Sequence, residues 1–133
     1  ELPDLSDTFG PGTELRARET FGEFGCRLIF KALTGDENLA ACEGWDGDRA
    51  HAYARPGEAW AALVWALTFD SEGDAIEFAE ALRVAQQASQ LAPPPPLTVA
   101  DVSVAGRDVL VVAGAPADRL PALQKAAGFK RTK

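Results

Sequence analysis

The sequence is poor in the residue types that most catalytic and nucleic-acid-binding chemistry requires. In 133 residues it has no methionine, one histidine, one tyrosine and two cysteines. With His51 alone, the chain lacks the two imidazoles a helical turn apart that a His-Glu-x-x-His zinc peptidase needs. A Ser-His-Asp or Cys-His site built on it would have Arg49 and Tyr53 as strand neighbours and no nucleophile close by. Basic charge is scarce as well: 13 Lys and Arg against 20 Asp and Glu give a net charge of −7. That excludes the cationic footprint a nucleic acid or an anionic membrane surface demands. The longest apolar run, Trp60–Phe69 with only Thr68 polar, is about half of the ~20 residues needed to cross a bilayer as a helix. The expected partner is therefore protein, with no nucleic acid and no membrane insertion. Since Glu1 opens a chain without methionine, we expect a processed product or a piece of a longer protein.

What is present is the composition of one folded domain, 47% hydrophobic and 25% charged, enough apolar material for a core. Its centre is Ala59–Leu82, where a strand runs through a turn into a helix. Aromatic and branched residues make 60–69 a central strand. Leu63, Trp65, Leu67 and Phe69 share its bulky, core-directed face. Asp70 and Ser71 offer caps to a long helix over 71–91, with Asp74 three residues after Ser71 in capping-box spacing. Ala75, Phe78, Leu82 and Ala85 form its apolar stripe.

The rest of the chain is arranged around that unit. Residues 1–13, with two prolines and two glycines, read as a lead-in or linker. Leu15–Glu19 reads as a short strand. Thr20 and Glu23 have capping-box spacing and open a helix that Gly35 ends. Asp36 caps a second helix that stops at Gly44, completing a helical pair over 20–44. A hairpin over 49–69 follows, then the long helix. A polyproline spacer at 92–97, a second hairpin over 98–114 with Gly106-Arg107 at its turn, and a helix over 117–127 complete residues 14–133. The predicted fold is α+β, a mainly antiparallel sheet of about five strands with helices packed mostly on one face.

Pairing within the first hairpin sets the candidate site. Pro56-Gly57 marks a four-residue loop over Arg55–Glu58, which pairs Tyr53 with Trp60, His51 with Ala62 and Arg49 with Val64. Ala50, Ala52 and Ala54 then join Leu63 and Trp65 on the core face, because a one-residue slip would bury the arginine. Arg49, His51, Tyr53, Trp60 and Val64 share the other face, continued by Leu110 and Val112. Such a face is more apolar than open water favours. Either the N-terminal helices or the proline spacer cover it within the chain, or a partner does.

Cys26 and Cys42 fall one in each member of the helical pair, either side of the turn. Two readings stand: buried thiols that pack as small hydrophobes, or a disulfide, which the even count and hairpin spacing favour. A bridge would place the chain outside the cytosol. Asp46-Gly47-Asp48 begins like a calcium loop, but Arg49, Ala50 and His51 stand where later oxygen ligands should follow. Gly22-Glu23-Phe24-Gly25 lacks the lysine and preceding strand of a phosphate loop. No metal or cofactor is expected.

The stretches GEFGCRLIF, GWDGDRAHAY and ALVWALTFDSEGDAIEFAEAL together resemble the C-terminal region of a group of uncharacterised bacterial proteins. The matching residues are Gly22, Glu23, Arg27, Gly44, Trp45, Gly47, Asp48, Arg49, Tyr53, Leu63, Val64, Trp65, Thr68, Asp70, Ser71, Asp74, Ala75, Glu77 and Phe78, within 20–83. The resemblance implies a domain that follows a larger, metallopeptidase-like N-terminal part in envelope-associated or secreted proteins. The expected function is a non-catalytic accessory domain docking a protein partner, or that N-terminal part, through the sheet face. The alternative is a structural subunit of an envelope or secreted assembly, and a small hydrolytic enzyme ranks third.

Overall fold

The computed structural model of the chain describes residues 2–35, 39–57, 61–90, 101–114 and 119–129. Strands form where branched, aromatic and alternating residues run: β1 (Glu14–Glu19), β2 (Trp45–Ala54), β3 (Ala61–Phe69), β4 (Asp101–Ala105) and β5 (Asp108–Ala113). They make one sheet in the order β1-β2-β3-β5-β4, each neighbour antiparallel to the next. The helices are α1 (Ser6–Phe9), α2 (Gly22–Thr34), α3 (Leu39–Cys42), α4 (Glu72–Gln90) and α5 (Leu120–Ala126). The fold is α+β, as the residue pattern implied.

Side-chain alternation along β3 sends Trp65, Leu67 and Phe69 into one core and Ala62 and Val64 into another. The first core lies under α2, α3 and α4, where Phe78 meets Trp65, Phe69 and Phe30 at ring separations of 5.7, 5.1 and 5.8 Å. Ala75, Phe78, Ala79, Leu82 and Ala85 of α4 are buried there, so the apolar stripe faces the sheet. At the start of α4 the Ser71 hydroxyl accepts the Asp74 N–H at 3.1 Å, the cap its spacing implies. The second, smaller core lies under α1 and α5.

Three expectations are corrected. Residues 2–9 are not a linker: Leu2, Leu5 and Phe9 are buried in the second core beside Tyr53, Val64 and Leu110. Their spacing of three and four residues is that of a helical stripe, which the neighbouring prolines and glycines obscure. The first hairpin keeps the predicted faces but pairs two residues further along, Tyr53 with Ala62, His51 with Val64 and Arg49 with Ala66. A shift of two preserves which side each residue points to, so burial does not distinguish the two registers. Thr20 does not cap α2; Asp48 does. The proline spacer and Trp60 lie outside the described residues, as does the start of the last helix, which is described over Leu120–Ala126.

Candidate functional site

The five residues predicted to present a docking face do not stand together at the surface. His51, Tyr53 and Val64 are buried, at 1%, 1% and 0% exposure; Arg49 is exposed, and Trp60 is outside the described residues. The cover is the chain's own N-terminal segment. The Tyr53 hydroxyl accepts the Leu5 N–H at 3.0 Å, and the Phe9 ring lies 4.8 Å from that of Tyr53. Arg55 donates to the Phe9 carbonyl at 2.9 Å and to the Thr13 hydroxyl at 3.1 Å, while Arg119 donates to the Thr8 carbonyl at 3.3 Å.

Within this contact the His51 ring donates to the carbonyl of Pro3, which has no N–H to offer. Its Nδ1 lies 3.4 Å from the Tyr53 hydroxyl. Burial, with Arg18 and Arg49 nearby, holds the imidazole pKa below its ordinary value, outweighing Asp4 and the Pro3 carbonyl. Burial likewise pushes the Tyr53 phenol up. A neutral imidazole closed off from solvent by its own chain is a packing element, not a base within reach of substrate.

The polar centre of the fold is Asp48. One carboxylate oxygen accepts the Phe21 N–H at 2.8 Å and the Trp65 indole at 2.9 Å; the other accepts the Gly22 N–H at 2.9 Å and the Trp45 indole at 3.2 Å. A single anion therefore satisfies the first N–H groups of α2 and ties two tryptophans to the helix. Beside it Gly44 has φ +80°, and a Cβ there would collide with the Asp74 carboxylate. Its carbonyl accepts the Asp70 N–H at 2.7 Å. Gly44, Trp45, Asp48 and Asp74 thus pin the strand ends to α2 and α4. This acceptor role was missed because three of its four donors, Phe21, Gly22 and Trp65, lie 17 to 27 residues away, whereas Thr20 offered a local cap.

Cys26 of α2 and Cys42 of α3 are brought together as expected, with both side chains buried and their sulfurs 2.9 Å apart as thiols. The hydrogen bond from Cys42 and the burial push the Cys26 thiol pKa far up. Among the described residues no group of three or more His, Cys, Asp or Glu side chains is placed to hold a metal ion.

Two surface features remain. The second core stops short of one end of the sheet and leaves a cavity of about 340 Å³. Its floor is two cross-strand rows, Gly47–Thr68–Asp108 and Arg49–Ala66–Leu110. Leu2 and Phe129 form its walls. On the opposite layer, Phe24 and Leu28 lie one turn apart on α2 and are 66% and 45% exposed; Ile76 and Val84 of α4 are 49% and 65% exposed. No helix among the described residues is long and apolar enough to cross a membrane.

Residues 11–124 match the family model described as Domain of unknown function (DUF8575), and the chain belongs to that family. No curated protein and no solved structure matches it.

Proposed function

We propose that the chain is a non-catalytic accessory domain that docks a protein partner through the outer side of its helical layer. The observation that carries this reading is the pair Phe24 and Leu28, large apolar side chains at i and i+4 that face water on α2. Ile76 and Val84 extend apolar surface along α4, where Glu72, Glu77 and Glu80 are also exposed. The partner that fits is a protein surface with an apolar centre and a lysine- or arginine-rich rim. This moves the docking surface from the sheet, which the N-terminal segment covers, to the helices.

The motif resemblance supports placement in an envelope-associated or secreted bacterial protein, after a larger N-terminal part that is itself a candidate occupant of the α2 surface. In that setting Cys26 and Cys42 form a disulfide, since their sulfurs are already in contact.

A photo-crosslinking residue placed at position 24 in the source cell tests the docking surface, with position 107 as control. A single defined protein adduct at 24, absent at 107 and lost with Leu28→Glu, supports the reading. An adduct with a second copy of the chain transfers the assignment to the structural-subunit reading, and equal labelling at both positions overturns both.

A further inference from the structure

The GW-x-GDR stretch contains residues that the architecture does not consume. Gly44, Trp45 and Asp48 are committed to the joint between sheet and helices. Gly47 and Arg49 are not. A Cβ at Gly47 would meet nothing within 4 Å. The Arg49 guanidinium has no hydrogen-bond or ion-pair partner among the described residues. Both line the 340 Å³ cavity at the end of the sheet.

We propose that this cavity binds a small organic monocarboxylate, with its anionic group against Arg49 and its apolar body over Ala66 and Leu110. The volume falls in the range of roughly 300–1,000 Å³ usual for small-ligand sites. Arginine presents a planar fork of donors that matches a carboxylate. The hydrocarbon of Ala66, Leu110, Leu2 and Phe129 suits an alkyl or aryl body. Asp108 sets the limit on charge. It lies two strands from Arg49, about 10 Å across the sheet at the usual strand spacing, and accepts the Thr68 hydroxyl at 2.8 Å. A second anionic group at that end of the ligand would be repelled.

The test is an amide chemical-shift titration of the full chain with octanoate, octan-1-ol and octanedioate. Saturable shifts at Gly47, Arg49 and Thr68 are expected with octanoate, and markedly weaker binding with octanedioate. Arg49→Gln should weaken octanoate by about tenfold, the loss of one charge-assisted contact, and leave octan-1-ol unchanged. Asp108→Asn should tighten octanoate. Gly47→Phe should abolish binding of both probes while thermal unfolding stays unchanged, because the added ring enters open space. Absence of saturable shifts at those residues, equal octanoate affinity in Arg49→Gln, or equal binding of octanedioate would each overturn the proposal.

Discussion

The two faces of the sheet are closed by different means. Beneath α2–α4, Trp65, Phe69 and Phe78 meet through rings and hydrocarbon, and the Asp48 carboxylate has four donors. On the other face a short segment over residues 2–9 is held by three apolar side chains, by the Tyr53 hydroxyl as acceptor and by donors from Arg55 and Arg119. On this contrast the helical face is expected to carry the cooperative stability of the domain, and residues 2–9 to act as a cover laid over the other face. Where the cover ends, the cavity begins.

The largest effect that would sharpen this contrast is a pair of truncations. Phe78→Ala should cost about 4 kcal/mol, the usual penalty for emptying a packed aromatic site, and lower the urea midpoint of the whole domain. Phe9→Ala should instead release residues 2–9 to fast hydrogen exchange while β3 and α4 stay protected. Equal global losses would erase the distinction. Next comes Asp48→Ala, which strands four donors and should cost about 3 kcal/mol or more in the same urea assay. Bridging Cys26 and Cys42 with oxidised glutathione, whose disulfide is reduced to two thiols as the protein pair is oxidised, should then add about 2–3 kcal/mol. Thiol titration should fall from two groups to none, and the gain should vanish in Cys42→Ala.

The smallest effect belongs to the cover. His51 has a folded-state pKa below its ordinary value of 6.5, so its neutral form is favoured in the fold. That contribution is complete above pH 6.5 and is lost as pH falls through the folded pKa. The charged groups facing the ring are Arg18 of β1, Arg49 of β2 and Asp4 of the N-terminal segment. Melting followed from pH 8 to 5 should therefore decline less in His51→Gln than in the natural chain; identical profiles would remove His51 from the cover's hold.

The cooperative face was legible in the sequence because its signals are local. The alternation from Leu63 to Phe69, the Ser71 cap and the Ala75–Ala85 stripe each predict a face from residues a few positions apart. The candidate site was not, because it is made by distant pairings. Leu2, Leu5 and Phe9 carry helical spacing, but Pro3 and Gly10 make the segment look like a linker until Tyr53 and Arg55 are seen to bind it. The register of the hairpin moved by two residues without changing a single face, so the alternation left it open. Arg49 kept its predicted exposure while His51 and Tyr53, on the same face, are covered by a segment some 45 residues earlier in the chain.

The most direct test is hydrogen exchange at the Leu5 amide near neutral pH. A cover docked by Tyr53 predicts protection well above that of an unstructured chain, reduced in Tyr53→Phe with β3 unaffected. Exchange of Leu5 at the unstructured rate in the natural chain, with the Tyr53 ring open to solvent, would contradict the account and return this sheet face to the set of docking surfaces.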